Sequence, residues 1–457
     1  MVTVIDEWAK QHGPLVHIRL FGKSVIIISS SRIAQDLMEN RAQNYSGRPD
    51  FIMASKAMQG GMMMPFIHAN ERFRRVRKLV TTELRPAAVS EYFHPIQTAE
   101  VHRLVQCITQ SPERWSEYLS RAVGSILMTA VYDKPLRSGQ DTEGAIKNVI
   151  KLNDDLINAI DGGQNYVDFL PFLQYIPNVP YKALASKYYN LAETTYRGLM
   201  EDARRNLQAG LPARGIAARL LQYQHETEAD YREQYWALGS FYLAGSDTQS
   251  IMAHSLIMAL ALHPRVLARA QAEVDAVVGD ERCPTFEDET RLPYLRATIC
   301  EVLRWRPSGP TAIPHAVIDD DEYGGYFIPG GSMVIPNIWS MHMDERVFKD
   351  PAMFEPERYL NNPSLPLHAF GFGRRSCPGR RVGEHTLFLM LATIVWALDV
   401  RPKLDSSTGR PIPINSDRET GFASVGLLRA RPFAVALTPR SEERSRLLAQ
   451  IVEDGGL

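Results

Sequence analysis

The chain has few cysteines and no cysteine pairs at short spacing. Its 457 residues include only four, Cys107, Cys283, Cys300 and Cys377, and these are scattered. We therefore expect no disulfide framework, and a reducing compartment is the better prediction. A lone cysteine also cannot complete a zinc site or an iron–sulfur cluster, because these use three or four protein ligands.

Long apolar runs, linkers, repeats and an excess of charge are also absent. The longest apolar segment is Leu387 to Leu398, whereas a membrane span needs about 18 to 20 residues. A formal net charge of −1 gives no sign of nucleic-acid binding. No linker or repeat divides the chain, so we expect one large domain over 1–457. The first residues predict a globular helix around Trp8, with no N-terminal membrane anchor before it.

The apolar periodicity predicts a mainly α chain with a smaller β region. We expect a helical body over 88–307 and β-rich pieces near 15–28 and 319–435. A long helix is expected from about Tyr231 to Leu262.

Near the N-terminus, two short apolar runs predict a β-hairpin. The predicted strands are Leu15–Leu20 and Val25–Ile28, with a glycine-containing turn between them. Ser31 is then expected to cap a helix that continues to Glu39.

The most informative segment is residues 370–379, with the sequence FGFGRRSCPG. It places Cys377 beside two arginines and just before a predicted helix, and both positive charge and a helix N-terminus favour thiolate over thiol. The glycines let the backbone pass close to a flat group and supply amides that point at the sulfur. A single thiolate can be the only protein ligand of a haem iron. The alternative is an adventitious thiol in a basic loop.

The spacing F-x-x-G-x-R-x-C-x-G is filled by Phe370, Gly373, Arg375, Cys377 and Gly379. It resembles the haem-binding loop of the cytochromes P450. The resemblance implies the cytochrome P450 fold and a bound heme b (iron protoporphyrin IX), with Cys377 as the axial ligand of the iron.

A second motif, Ala244-Gly245-Ser246-Asp247-Thr248, lies within the long predicted helix. Glycine within a helix costs about 1 kcal/mol relative to alanine, and the small pair Ala244–Gly245 would let a flat cofactor approach the backbone. Thr248 is expected to donate to the carbonyl of Ala244 and to bend the helix. The pentapeptide resembles the oxygen-activation motif of the family, which implies that Asp247 and Thr248 are catalytic and deliver protons. A chance match in an ordinary helix is the alternative.

A third motif, Glu301-Val302-Leu303-Arg304, places two opposite charges on one helix face. Such a pair is often an ordinary surface ion pair. In the family, however, an E-x-x-R pair is locked by an arginine of a later loop, and Arg358 stands at the matching position. The resemblance thus implies a buried structural triad of Glu301, Arg304 and Arg358.

The haem carboxylates need cations if they are partly buried. Arg375 is the first candidate, and the resemblance adds His315 and Arg77. Where the family has W-R-x-x-R, this chain has Phe73 in place of tryptophan, which predicts packing only at that position. A plain basic helix face over 72–78 is the alternative.

The resemblance covers residues 1 to about 435, and 329–331 and 350–359 are most similar to fungal microsomal members. It implies a haem-dependent monooxygenase that inserts one oxygen atom of O2 into a hydrophobic small molecule by hydroxylation or epoxidation, in secondary metabolism or xenobiotic oxidation. Electrons would come from NADPH through an FAD/FMN NADPH–cytochrome P450 reductase. A haem-thiolate isomerase or dehydratase, which usually lacks the helix threonine, and a non-catalytic haem-binding relic are the alternatives.

The same resemblance implies that the protein is located at the cytosolic face of the endoplasmic reticulum membrane. The expected lack of an anchor is, in contrast, compatible with a soluble protein. The basic set Arg374, Arg380 and Arg381 is expected to bind an acidic reductase surface.

The substrate is expected to be hydrophobic, because charged residues are scarce in the segments expected to form the pocket wall. These are 53–67, Phe241, Tyr242, 308–313 and 422–425. Five methionines in the first segment predict a mobile, adaptable roof, and an irregular core filled by methionine is the equal alternative. They are Met53, Met58, Met62, Met63 and Met64.

Overall fold

The structure is a computed structural model, and it describes residues 2–137, 143–160, 165–223 and 227–454. Helices account for 59% of the residues and strands for 10%, which confirms a mainly α fold with a smaller β region. The α-helices are α1 (Val2–His12), α2 (Ser31–Ala34), α3 (Glu71–Glu83), α4 (Pro86–Ala88), α5 (His94–Gln110), α6 (Trp115–Tyr132), α7 (Glu143–Ile160), α8 (Tyr166–Phe169), α9 (Pro180–Gln208), α10 (Ile216–Gln222), α11 (Tyr231–Leu262), α12 (Pro264–Val278), α13 (Pro293–Trp305), α14 (Ile338–His342), α15 (Glu357–Asn361), α16 (Arg380–Ala397) and α17 (Glu442–Asp454).

The strands form one four-stranded sheet and three two-stranded pairs within the described ranges. The four-stranded sheet has the order β1-β2-β6-β3, and the pairs are β4–β5, β7–β10 and β8–β9. The central pair β2–β6 is parallel, whereas β1–β2 and β3–β6 are antiparallel. The strands are β1 (Leu15–Leu20), β2 (Lys23–Ile28), β3 (His315–Ala316), β4 (Asp321–Tyr323), β5 (Tyr326–Ile328), β6 (Met333–Pro336), β7 (Leu398–Pro402), β8 (Phe422–Val425), β9 (Leu427–Ala430) and β10 (Val435–Pro439).

The predicted N-terminal hairpin is present, but its second strand begins at Lys23 rather than Val25. The turn therefore consists of two residues, Phe21 and Gly22, with φ values of 48° and 81°. Two positive φ values give a tight turn whose twist matches that of the flanking strands. The four-residue turn expected from the sequence was too long, because Lys23 pairs directly with Leu20.

The predicted cap at Ser31 is wrong by one residue. Ser30 has extended backbone, and its hydroxyl accepts a hydrogen bond from the amide of Ile33, so Ser30 is the N-cap. Ser31 is already helical, and α2 ends at Ala34, after which residues 35–40 continue as a π-helix. The serine pair gave the position of the cap only to within one residue, since either hydroxyl suits a helix start.

Helix α11 has the bounds predicted from the sequence and is buried along most of its length. It begins with a capping box: the Asp230 carboxylate accepts from the Glu233 amide, and the Glu233 side chain accepts from the Asp230 amide. Because α11 packs against α6, α9, α13 and α16, the Ala244–Thr248 motif lies in the middle of the fold.

In the described ranges, no single helix combines the length and the apolar composition needed to cross a membrane. Only α11 and α12 taken together meet that test, and they meet at an angle of 104°.

Candidate functional site

The loop that carries Cys377 is held by its own backbone. The Cys377 amide donates to the Phe370 carbonyl at 2.8 Å, which closes residues 370–377 just before α16. Gly373 has a φ of 50°, and a Cβ placed there would lie 2.1 Å from the carbonyl oxygen of Met38. Only glycine fits at this position, because both the conformation and the close approach exclude a side chain.

The pKa of the Cys377 thiol is raised above its usual value, so the expected preference for the thiolate is wrong for the chain by itself. Cys377 keeps accessible surface, but the protein packed around the thiol excludes enough water to favour the neutral form. The Gly379 amide and the charge of Arg77 oppose this shift. The arginines next to Cys377 in sequence contribute little, because Arg374 is exposed and Arg375 turns to other partners. Coordination to a metal ion would itself remove the proton.

Arg375 is buried and incompletely hydrogen-bonded. Its Nε donates to the carbonyl of Ser46 and its Nη2 to that of Ile67, both at 2.8 Å. Its Nη1 is buried and has no partner within the described part of the chain. Burial, and then the charge of Arg77, lower the pKa of Arg375 to about 10. A buried cation with an unused donor is costly unless an anion completes the site.

Two further basic groups face the same region, and one of them was not predicted. Arg48 is buried and donates to the carbonyls of Pro65, Ile313 and Pro314 at 2.7–2.8 Å. Burial and the charge of Arg375 lower its pKa well below the usual value. No motif surrounds Arg48 in the sequence, so only the fold reveals it.

His315 lies beside these arginines, as its predicted role requires. Its Nδ1 is 2.6 Å from the carbonyl oxygen of Tyr45, which fixes the proton on Nδ1. Burial, and then the charge of Arg48, lower the pKa of His315 to about 3. His315 can therefore donate to a carboxylate through Nε2 only as an imidazolium, which the carboxylate itself would have to stabilise.

Arg77 and Phe73 complete this basic region from α3. Arg77 Nη2 donates to the Ser376 carbonyl at 2.7 Å, so it fixes the Cys377 loop. Burial lowers the pKa of Arg77, and Cys377 opposes that shift. Phe73 lies under the guanidinium of Arg375, with 3.6 Å between the guanidinium carbon and the ring centroid. The expectation that Phe73 offers packing only was wrong, because a cation–π contact is present.

One face of α11 carries Phe241, Ala244 and Thr248 at helical spacing. The Thr248 hydroxyl donates to the Ala244 carbonyl at 2.7 Å, which is the hydrogen bond expected from the sequence. A Cβ placed at Gly379 would lie 3.7 Å from Phe241 and 3.8 Å from Cys377 Sγ, so this face meets the Cys377 loop. Gly245 was expected to make room for a cofactor, but the structure gives it a different role. A Cβ at this position would lie 2.8 Å from Leu127 Cδ1 of α6, so the glycine lets α11 pack closely against α6.

Asp247 points away from this face. It is 9% exposed and forms an ion pair with Arg429 of β9. Its second oxygen, Oδ2, is buried and has no partner among the described residues. Sequence patterns did not point to Arg429 as a partner of Asp247, because the two residues are 182 positions apart.

Glu301, Arg304 and Arg358 are brought together in the interior. Glu301 and Arg304 are fully buried and share two hydrogen bonds of 2.7 Å. Arg304 also donates to the carbonyls of His342, Pro351 and Met353. Arg358 Nε lies 3.5 Å from Glu301 Oε1. This arrangement excludes the surface ion pair considered as an alternative.

The expected roof of the pocket is largely core. Met53, Met58, Met62 and Met63 are only 1–5% exposed and belong to the main hydrophobic cluster. Tyr242, expected in the pocket wall, is also buried, and a Cβ at Gly124 of α6 would lie 3.4 Å from its hydroxyl. The mobile roof is therefore not supported, since the methionines fill an irregular interior. Of the expected wall over 422–425, Phe422 is buried, and the side chains of Ser424 and Val425 lie outside the described residues.

Comparison with known proteins decides the family. The Cytochrome P450 family model matches residues 1–415. This chain is a cytochrome P450. A cytochrome P450 monooxygenase of Armillaria gallica is 34% identical over 97% of this chain and 87% of the relative. A second, from Postia placenta, is 31% identical over 97% of this chain and 86% of the relative. The prediction of a fungal type is confirmed, and this P450 is a haem-dependent monooxygenase.

The fold comparison agrees with the sequence comparison. Two structures of a zebra fish cytochrome P450, one with abiraterone and one with progesterone, match with TM-scores of 0.78 and 0.80. Each is 22% identical and covers 96% of this chain and 99% of the solved chain. They confirm the P450 fold predicted from the motifs. The alternative of an isomerase, a dehydratase or a non-catalytic relic finds no support in these comparisons.

The residues of this P450 fit a haem. A thiol beside Gly379 supplies the single soft ligand, and buried basic groups without carboxylate partners suit the two propionates. The main observation in favour of haem binding is the buried Nη1 of Arg375, which has no hydrogen-bond acceptor among the described residues. A propionate oxygen would supply that acceptor.

Proposed function

We propose that Cys377 is the axial haem ligand and that Arg375, Arg48 and His315 hold the haem propionates. The unpartnered, buried Nη1 of Arg375 is the main support for this assignment. His315 would take part as an imidazolium once a propionate lies beside it, whereas the two arginines carry charge throughout. Arg77 would act differently, since its hydrogen bond to Ser376 places the thiol-bearing loop.

Bound haem supplies the oxygen-activating chemistry, and the chain directs protons to it. Thr248 is proposed to hold a water molecule at the point where its hydroxyl bonds to the Ala244 carbonyl. Asp247, on the adjacent face of α11, is proposed to supply the protons. Glu301, Arg304 and Arg358 act only structurally in this assignment, because they pair with one another in the interior.

The substrate is proposed to be a hydrophobic small molecule. The zebra fish relative with the same fold has been solved with the hydrophobic compounds progesterone and abiraterone. In this chain, Phe241 provides apolar surface next to the Cys377 loop, and Ala244 lies one turn further along the same face of α11. Hydroxylation or epoxidation of such a molecule is the expected reaction.

The electron donor is proposed to be an FAD/FMN NADPH–cytochrome P450 reductase. Arg374, Arg380 and Arg381 are all exposed on the side of the Cys377 loop and would attract an acidic flavoprotein surface. Arg381→Glu should weaken reductase binding most strongly at low salt, because exposed charges are screened at high salt. A Kd that stays unchanged at low salt would exclude Arg381 from the contact.

Attachment to the cytosolic face of the endoplasmic reticulum membrane is proposed from exposed apolar side chains. Phe172 and Tyr175 are 58% and 80% exposed, and Phe21 at the hairpin tip is 67% exposed. Lys23 donates to the Asp168 carbonyl at 3.0 Å, so the two apolar segments adjoin. Tyr175→Asp should reduce co-sedimentation with phosphatidylcholine vesicles, and Met353→Asp on another exposed apolar position should not.

Two variants test the assignment of the site. Cys377→Ala should abolish the reduced carbon-monoxide spectrum of thiolate-ligated haem, and retention of that spectrum would refute the ligand assignment. Thr248→Ala should leave haem binding intact but lower the product formed per NADPH consumed. Ser246→Ala is the matched control, because Ser246 lies two residues away and also bonds to a carbonyl of α11. Equal coupling in Thr248→Ala and Ser246→Ala would remove Thr248 from proton delivery.

A further inference from the structure

His342, the last residue of α14, is a fully buried histidine that the proposed site does not use. Its ring contacts two backbone groups from distant parts of the chain. Nδ1 lies 3.1 Å from the carbonyl oxygen of Arg304, and Nε2 lies 3.0 Å from the amide nitrogen of His368. His342 therefore bridges the end of α13 and the segment that leads into the Cys377 loop.

The two partners decide which ring nitrogen of His342 carries the proton. A backbone amide can only donate, so Nε2 accepts, and a carbonyl can only accept, so Nδ1 donates. The ring is thus neutral and is held in one tautomer. Burial, followed by the charges of His368 and Arg304, keeps the pKa of His342 well below its usual value, which agrees with this neutral form.

The α13 side of this bridge is held by several hydrogen bonds. Arg304 Nη1 donates to the His342 carbonyl at 2.9 Å, so two hydrogen bonds join these two residues. Arg304 is itself held by Glu301 through two bonds of 2.7 Å. At the other end of α14, the Asn337 side chain accepts from the Ser340 amide at 3.2 Å. His342 is therefore a fixed point against which the neighbouring segment is placed.

On its other side, the bridge leads to Cys377 through backbone hydrogen bonds. The Gly371 amide donates to the His368 carbonyl at 2.9 Å, and the Cys377 amide donates to the Phe370 carbonyl at 2.8 Å. His368 thus holds the start of the loop, and the loop closes on the residue that carries the thiol. A displacement of His368 would be passed to Cys377.

Ring packing follows the same course from His342 to the loop. The His368 ring lies 5.9 Å from the His342 ring and 4.9 Å from the Phe372 ring, measured between centroids. Phe372 is buried, and its carbonyl accepts from the Arg375 amide at 3.2 Å. The Nε2 atom of His368 is buried without a partner among the described residues, so the amide of His368 makes the hydrogen bond to His342.

We propose that His342 is a positioning residue that sets the place of the Cys377 sulfur by accepting a hydrogen bond from the His368 amide. This inference rests on the assignment of Cys377 as the axial haem ligand. Without that acceptor, the partly buried His368 amide would be left unsatisfied, which is costly, so residues 368–371 would shift towards another acceptor. The sulfur would then be displaced, and its bond to the haem iron would be weaker.

Two substitutions separate the two hydrogen bonds of His342. Asparagine places a polar atom where Nδ1 stands, and glutamine places one where Nε2 stands. His342→Asn therefore keeps the donor to the Arg304 carbonyl and loses the acceptor of the His368 amide, whereas His342→Gln does the opposite. Each variant loses one buried hydrogen bond, so a purely structural role would affect both alike, and melting temperatures of the ferric enzyme measure that common loss.

The deciding readout is the reduced carbon-monoxide spectrum, which separates thiolate-ligated haem from haem that has lost the thiolate. His342→Asn should raise the ratio of thiolate-free to thiolate-ligated haem roughly two- to tenfold, the range that one hydrogen bond accounts for. It should also raise the haem reduction potential, because a weaker thiolate bond gives less negative charge to the iron. His342→Gln should leave both quantities as in the wild type. His263→Gln is the matched control, because His263 is another half-buried histidine, stacked on Phe354 away from this path.

The outcomes separate this inference from the assignment on which it rests. Equal ratios in His342→Asn and His342→Gln would overturn the inference, although Cys377 keeps its role. A wild type without the thiolate spectrum would refute the ligand assignment as well.

A further measurement needs no variant, and it decides the matter if both His342 variants accumulate without haem. Amide hydrogen exchange of the wild-type holoenzyme should be slow at His368 and much faster at Ala369, whose amide donates to no group in the described part of the chain. Equal exchange rates at His368 and Ala369 would show that the His342 bond is absent and would overturn the inference.

Discussion

The guanidinium of Arg375 lies over the ring of Phe73, with 3.6 Å between its central carbon and the ring centroid. Two carbonyls, those of Ser46 and Ile67, hold the same guanidinium from its edge. The aromatic ring thus orients a buried cation that the fold otherwise leaves partly unsatisfied.

Replacing Phe73 should therefore weaken haem binding through Arg375. A cation–π contact contributes about 0.5–2 kcal/mol, so Phe73→Leu should raise the haem dissociation constant by roughly two- to thirtyfold. Phe73→Trp is the matched control, because it keeps an aromatic face and should retain haem as the wild type does. The ratio of haem to protein absorbance during transfer to apomyoglobin measures the loss. Equal retention in Phe73→Leu and Phe73→Trp would contradict this explanation.

Removing one member of the buried triad should be strongly destabilising. Arg304→Ala removes both guanidinium hydrogen bonds from the fully buried Glu301 carboxylate and leaves only the more distant Arg358 as its counter-charge, which costs about 3–5 kcal/mol. Thermal and urea denaturation measure the effect. The control is Arg346→Ala, which breaks an ion pair with Asp344 in which the arginine is 75% exposed, and it should change stability by less than about 1 kcal/mol. Equal melting temperatures for these two variants would contradict the structural role.

The methionines of residues 53–64 should behave as core residues. Met62 and Met63 are 4% and 5% exposed, so truncating either to alanine should cost about 2–5 kcal/mol. Met353→Ala is the control, because Met353 is 58% exposed and its loss should be within about 0.5 kcal/mol. Denaturant midpoints of the three variants give the comparison. Losses below 1 kcal/mol at both Met62 and Met63 would restore the interpretation as a mobile roof.

The features that could be predicted from the sequence are those that depend on residues close together in the chain. The bounds of α11 follow from apolar periodicity, and the bond from Thr248 to Ala244 follows from helical geometry. The Cys377 loop was recognised because its spacing is local. In each case the interacting residues lie within a few positions of one another.

What the sequence did not reveal depends on contacts between distant segments. Arg48 and Arg429 stand in segments without a motif, and only the fold brings them to Arg375 and Asp247. The raised pKa of the Cys377 thiol also depends on distant contacts. Arginines adjacent to Cys377 in sequence need not point their side chains at the sulfur, so their position in the chain did not predict its pKa. Burial by the surrounding protein outweighs the charges that the linear pattern suggested.

A pair of histidines joins α5 to α16 and predicts a dependence of stability on pH. His94 Nε2 lies 2.8 Å from His385 Nδ1, and the pKa of each is lowered to about 4. Burial is the main cause, followed by the charge of His385 for His94 and of Arg381 for His385. Unfolded histidine titrates near pH 6.5, so between pH 6.5 and 4 the unfolded chain binds more protons than the folded one. The free energy of unfolding should therefore fall as the pH is lowered through this window.

His94→Gln combined with His385→Gln should reduce that slope, although other buried histidines will keep it above zero. Melting temperatures at half-unit steps from pH 4 to 7 measure the change. His12→Gln is the control, because His12 is exposed and its replacement should leave the slope as in the wild type. The same slope in the double variant and in the wild type would show that the pair does not bind protons on unfolding.

The parallel pairing of β2 with β6 joins Ile28 to Pro336, so the central sheet cannot form until almost three quarters of the chain has left the ribosome. At roughly 5–20 residues per second, synthesis of the intervening segment takes on the order of 15–60 seconds. During that interval the apolar edge of Val25–Ile28 has no parallel partner, and unpaired edges of this kind promote aggregation. The yield of folded enzyme should therefore depend on chaperone supply and on growth temperature. Temperature sets how long the hairpin edge stays unpaired during synthesis, and chaperones protect that edge from aggregation.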